Sequence, residues 1–175
     1  ASTCGTEVVY RIGVNRLSVL VRDLDPATSR YVEKAQFTPA RDETPALYTE
    51  TKAKPDTRFR VALAEGVTSW QVVESLKAMD VLKGDVASVP AEGALAPDSY
   101  EVKPGDNRLA VLTRMEQAQK LRLAAAWEAR RSDVPLKSPE ELMILASIIE
   151  KETSVPDERG QVASVFVNRL NQGMR

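Results

Sequence analysis

The chain has 175 residues, enough for one good-sized domain or two small ones. Its 24 Lys and Arg against 25 Asp and Glu leave a net charge of -1, which argues against a broad nucleic-acid-binding surface. It has no histidine, which excludes Ser-His-Asp and Cys-His catalysis within it and removes the commonest zinc ligand, and its one cysteine, Cys4, allows no internal disulfide and reads as a buried or surface thiol rather than a nucleophile.

Residues 7–12, 17–22, 30–34 and 46–51 carry β-branched and aromatic residues in partial alternation and read as strands. Gly13-Val14-Asn15 and Asp25-Pro26-Ala27-Thr28 read as turns, so a small antiparallel meander is the simplest arrangement. Pro39, Pro45 and Pro55 mark loops or edges. Residues 58–63 form another strand, and Glu65-Gly66 turns the chain. Thr68-Ser69-Trp70-Gln71 is a capping box for a helix to about Met79, with Val72, Val73, Leu76 and Met79 facing the sheet. After the turn at Pro104-Gly105, Asp106 or Asn107 caps a long helix to about Arg131. Val111, Met115, Ala118, Ala125 and Ala129 make its narrow apolar stripe, Trp127 reads as core, and Arg130 and Arg131 as a solvated end that complements the helix dipole.

Ser138-Pro139-Glu140-Glu141 opens the next helix with an N-cap serine, a proline at the first helical position and a glutamate three residues after the cap. Leu142, Leu145, Ala146 and Ile149 form one stripe, widened by Met143 and Ile148, so the helix is expected to be buried on most sides. Two acids close it. Glu150 projects near Met143 and Ala146, and Glu152 near Leu145 and Ile148, about 160° apart around the axis. They are a poor pair for two-carboxylate glycoside hydrolysis. A single carboxyl among apolar neighbours tends to keep its proton, as a donor to a glycosidic oxygen must. A structural ion pair is the plain alternative, and the helical wheel does not separate the two glutamates.

A last helix spans about 156–171, with Gly173 as its stop. Val162, Ala163, Phe166 and Leu170 make its apolar face, with Arg159 and Arg169 on or beside it and Asn168 pointing roughly the other way. Arginines in that position pair with carboxylates, and Glu150 or Glu152 is the obvious partner across a tight connection. Such a pair would be a buried structural bridge, or it would fix the geometry of a site.

Ala146-Ser-Ile-Ile-Glu-Lys-Glu-Thr153, Glu158-Arg159, Val162-Ala-Ser-Val-Phe-Val-Asn-Arg-Leu170 and Gly173-Met174-Arg175, in this order, resemble the YceG-like endolytic murein transglycosylases. Upstream, Glu92-Gly93-Ala94-Leu95-Ala96-Pro97-Asp98-Ser99-Tyr100 is similar to that family's Glu-Gly-x-Leu-x-Pro-Asp-x-Tyr segment. The resemblance runs over residues 57–175, and residues 1–56 are less diagnostic. It implies an α+β protein: a β-rich region (1–56), a LysM-like βα unit with its connecting segment (57–103), and the helical part of a truncated catalytic domain (104–175). LysM modules elsewhere bind glycans, but no aromatic cluster beyond Trp70 is visible here, and a plain structural βα unit is the alternative.

The resemblance further implies Glu150 as the catalytic acid/base. It would protonate the oxygen between N-acetylmuramic acid and N-acetylglucosamine, then take a proton from the muramic C6 hydroxyl, which attacks C1 and leaves a 1,6-anhydro end. An internal nucleophile needs no second carboxylate. Glu152, Arg159, Asn168 and Arg169 become supporting or sugar-binding candidates, and Glu92 and Tyr100 cleft residues or a turn with an anchoring tyrosine. No metal or organic cofactor is implied. The partners implied are peptidoglycan strands and peptidoglycan synthases, at the periplasmic side of the inner membrane. The family's N-terminal membrane anchor and its Asp-Pro-Thr motif after Gly-Met-Arg are absent from this chain, and no run of ~18 apolar residues or signal-peptide pattern occurs. A portion of a longer protein, weakly active or inactive alone, is therefore expected. A muramidase-type hydrolase and a non-catalytic glycan-binding or scaffold protein are the alternatives.

Overall fold

The computed structural model describes residues 5–174, so Cys4 and Arg175 lie outside the described residues. The chain is α+β, in two compact units that divide within one long helix: the first ends at Ala118 and the second begins at Gln119.

In the first unit β1 (Thr6–Ile12), β2 (Leu17–Asp25), β3 (Arg30–Phe37), β4 (Arg58–Leu63) and β5 (Ser99–Val102) form one sheet in the order β3-β2-β1-β4-β5. The first three strands make the expected antiparallel meander. β4 then lies parallel to β1 on its other side, with β5 antiparallel to β4. β1 is thus central, and its two-residue period sends Val8, Tyr10 and Ile12 into the core with Val19, Val21, Phe59 and Val61. Glu7 points to the opposite face yet is only 1% exposed. It is held by Arg22, directly across on β2, at 2.8 Å, and by Arg60 of β4 at 3.0 Å. A buried carboxylate needs partners of this kind.

Residues 46–51 correct the sequence reading: they form the helix α1 (Ala46–Lys52), not a strand. Tyr48 and Thr51 supply the strand-like signal, but both are buried. A spacing of three puts them on one helical face, whereas a strand would send them to opposite sides. Ala46, Leu47, Glu50 and Lys52 favour the helix, which Pro45 precedes at the N-cap. Tyr48 meets Phe37 edge-on, with ring centroids 5.1 Å apart. Its hydroxyl stands 2.7 Å from that of Tyr10 and donates to Asp80 Oδ1. Lys52 Nζ donates to Asp80 Oδ2. Burial pushes both tyrosine hydroxyls well up, so they remain neutral donors. Burial also pushes the Asp80 carboxyl up, but the hydrogen bonds from Lys52 and Tyr48 together outweigh it and hold the group below the usual carboxylate range.

α2 (Ser69–Lys77) carries the predicted capping box: Thr68 accepts from Gln71 N, and the Gln71 side chain accepts from Thr68 N. Its apolar face, Val72, Val73 and Leu76, is buried with Met79 beyond its end. α3 (Arg108–Glu128) starts at Asn107, whose Oδ1 accepts from Leu109 N. Arg108 then reaches back to the end of α2. Its guanidinium donates to the carbonyls of Leu76 at 2.7 Å and Lys77 at 3.3 Å in the last turn of α2, and to those of Met79 at 2.9 Å and Gly84 at 2.8 Å beyond it.

In α3 only Val111, Leu112 and Met115 are buried, all in its first two turns. The expected stripe stops at Ala118; Ala125 and Ala129 are exposed, and the helix ends at Glu128 rather than Arg131. Trp127, in the second unit, is half-buried rather than core, because the Arg130 guanidinium, 3.5 Å from the ring centroid, covers it in place of an apolar layer. No helix among the described residues is long and apolar enough to cross a membrane.

Replacing Glu7 by Ala strands two arginines that can still reach water, and is expected to cost about 2–3 kcal/mol in urea unfolding. Asp80 has a depressed folded pKa, so its contribution is complete above the ordinary carboxylate value and is lost as pH falls through the folded one. The melting temperature is therefore expected to drop below about pH 4, and Asp80→Asn to flatten part of that drop in thermal scans against pH.

Candidate active site

The second unit presents the two candidate glutamates. Its helix α4 (Pro139–Glu152) begins as the sequence predicts: Ser138 Oγ accepts from Glu141 N at 3.3 Å, and Glu141 reaches back to Lys137 N at 2.6 Å. A 3₁₀ turn follows over Pro156–Glu158, and α5 runs over Arg159–Asn171.

Expected burial fails here. Of the α4 side chains only Leu145 is buried, while Ile144 is 59% exposed and Ile148 36%. These isoleucines, with Leu136, Leu145, Phe166 and Leu170, line an open apolar cavity of about 410 Å³ in the second unit. The wide apolar arc of α4 is therefore packed on one flank by α5 and left open on another.

Glu150 sits in the last turn of α4 and is exposed rather than set among apolar neighbours. Its Oε2 stands 2.9 Å from Arg159 Nη2, and the side chains are 55% and 44% exposed. The expected arginine–carboxylate pair therefore exists, with Glu150 as the partner, but it is a solvent-facing pair and not a buried bridge. The chain reversal between α4 and α5 accounts for it: residues 153–158 fold back within one 3₁₀ turn and deliver Arg159, the first residue of α5, to the end of α4.

The other supporting candidates are spread out. Glu152 is exposed and does not share that arginine. Asn168 and Arg169 lie nine and ten residues beyond Arg159, about 13–15 Å along the helix axis. Both are exposed. The Arg169 guanidinium stands 6.0 Å from the Phe166 ring, one turn back, so an aromatic face takes the place of the expected carboxylate. Glu92 and Tyr100 belong to the first unit. Glu92 accepts from Ser69 N at 3.1 and 3.2 Å, capping the start of α2. Tyr100 is buried and donates to Ala96 O at 2.7 Å. Among the described residues no group of three His, Cys, Asp or Glu is placed to hold a metal.

One feature of the turn escapes motif reading. Thr153 is 7% exposed, and its hydroxyl donates to Glu158 Oε2 at 2.9 Å while accepting from Val155 N at 3.1 Å. The available signal is a threonine just past a helix end, three residues before Pro156 and five before Glu158. Chemically, the end of α4 offers one carboxylate open to a ligand and an arginine that holds one of its oxygens.

The model of the YceG-like family matches residues 25–175. The chain is 29% identical over 123 residues to the endolytic murein transglycosylase of Streptococcus pneumoniae serotype 2 (strain D39 / NCTC 7466). It is equally similar to the protein of the same name from Streptococcus pneumoniae (strain ATCC BAA-255 / R6). The match covers 70% of this chain and 21% of each relative, so it spans about a fifth of their length.

An exposed ion pair adds little to stability. Arg159→Ala is expected to change the unfolding free energy by less than about 1 kcal/mol in chemical denaturation, and a larger loss would show that the pair is structural.

Proposed function

The chain belongs to the YceG-like family, and from that premise we propose that it is part of an endolytic murein transglycosylase in which Glu150 is the acid/base group. The observation that carries this reading is the place of Glu150: at an open helix end, paired with an arginine, inside the Ile-Ile-Glu-Lys-Glu-Thr run.

The bond broken joins C1 of N-acetylmuramic acid to O4 of N-acetylglucosamine. Glu150 gives a proton to that oxygen as the C1–O4 bond opens. The muramic C6 hydroxyl bonds to C1 and returns its proton to Glu150. Atoms balance without water, the product carries a 1,6-anhydro end, and the glutamate regains its starting state. The reacting hydroxyl belongs to the same sugar, so proximity replaces the second carboxylate that hydrolysis requires.

Exposure changes where the proton-holding environment comes from. Apolar protein walls do not surround Glu150, so the bound glycan has to exclude water around it. Arg159 holds Oε2, so the proton is presented from the other carboxylate oxygen, Oε1, with the pair intact. The remaining donors of the Arg159 guanidinium can hold an acetamido or carboxylate oxygen of the substrate beside the oriented acid. The substrate is nascent peptidoglycan, cut within its strands to end elongation. The setting is the periplasmic side of the inner membrane, beside peptidoglycan synthases, with the βα unit of the first unit in a LysM-like role.

Glu150→Gln in the full-length protein is expected to lower the release of anhydro-ended fragments from murein by about 10³-fold, read by mass spectrometry. Reducing ends in place of anhydro ends would favour a hydrolase. Undiminished cleavage by the Gln variant would remove Glu150 from the chemistry.

A further inference from the structure

We propose that Thr153 and Glu158 form a clasp that positions Glu150, and that both are positioning residues for the cleavage reaction. This inference rests on Glu150 being the acid/base group.

Residues 150–152 and 154–161 are all exposed, and Thr153 alone among them is buried. A buried hydroxyl keeps its place only if its hydrogen bonds are met, and here both capacities are used. Its proton goes to Glu158 Oε2 and its lone pair takes Val155 N–H. Its backbone completes the set: Thr153 N still donates to Ile149 O, while φ -148 and ψ 132 carry the chain out of the helix. One residue therefore ends α4, shapes the two residues after it and ties the turn to the carboxylate just before Arg159.

Two consequences reach the reacting group. The first is distance. Glu158 precedes Arg159 directly, so fixing the Glu158 side chain fixes the point at which α5 starts and keeps Arg159 Nη2 2.9 Å from Glu150. The second is competition. Glu158 is a second carboxylate adjacent to Arg159. While Thr153 holds its Oε2, that oxygen is engaged and Arg159 pairs with Glu150 instead. Without the hydroxyl, Glu158 becomes a rival partner, and Glu150 loses the arginine that orients it.

The test uses full-length protein with murein strands as substrate. Thr153→Val keeps the shape and deletes the hydroxyl. It is expected to lower kcat by about a hundredfold with KM changed less than about twofold, because orientation and not binding is lost. Thr153→Ser, which keeps the hydroxyl, is expected to stay within about threefold of the parent in kcat. Glu158→Ala removes the other end of the same hydrogen bond on an exposed residue and deletes the rival carboxylate too, so its kcat is expected to fall by about tenfold through the lost anchoring of Arg159 alone, and it carries the test if the valine variant does not fold. A crystal structure of Thr153→Val is expected to show Arg159 away from Glu150, which judges the clasp independently of catalysis. Parental kcat in both Thr153→Val and Glu158→Ala, with Glu150→Gln inactive, overturns the clasp and leaves the role of Glu150 standing. Activity in Glu150→Gln, with Arg159 displaced in the valine structure, overturns the catalytic reading instead.

Discussion

Glu150 and Arg159 are nine positions apart, and they touch because the chain reverses within the short stretch between two helices. A continuous helix would set them about 13 Å apart along its axis. The reversal turns on Thr153, the one buried side chain of that stretch, whose hydroxyl answers a backbone N–H on one side and a carboxylate on the other. The last turn of α4 and the first turn of α5 consequently face each other, and an acid and a base from opposite ends of the connection share a solvent-facing place.

The first unit is built on a different constraint. Its central strand is covered on both faces, and the two coverings differ in kind. One face is an apolar layer under α1, α2 and the start of α3. The other holds a carboxylate, Glu7, between two arginines from the neighbouring strands. Because Arg22 lies directly across from Glu7, a slip of one residue in register would break the pair and turn Val8 and Tyr10 out of the core together. Polar side chains also close the loops. Glu92 caps α2, Tyr100 holds the Ala96 carbonyl, and Arg108 collects four carbonyls. Residues of a recognisable motif thereby do structural work in this unit.

In the second unit the balance shifts from burial to exposure. Trp127 lies under an arginine, Ile144 and Ile148 face an open cavity, and Glu150 meets solvent. An acid in such a place is accessible to a polymeric substrate, which a carboxyl sealed in a core is not. In the reaction proposed for Glu150, a bound glycan would supply the dry surroundings that proton transfer to a glycosidic oxygen needs.

Local signals were legible wherever they name their own partners. The capping box of Thr68 and Gln71, the Ser138-Pro139 start of α4, the strand at Arg58–Leu63 and the turn at Gly66 all stand as read, since each involves residues within a few positions. The stretch at 46–51 was misread because Tyr and Thr score as strand formers in isolation, while their spacing of three suits a helix packed on Phe37 and Tyr10. Sequence by itself determined the α+β class, most element starts, the family resemblance and the existence of an arginine–carboxylate pair. Only the tertiary structure decided that β4 joins β1 in parallel, that the pair uses Glu150 and faces water, and that Thr153 holds the turn. The physical reason is common to all three: each depends on which surfaces cover which, and burial is set by contacts between distant segments that no local pattern encodes.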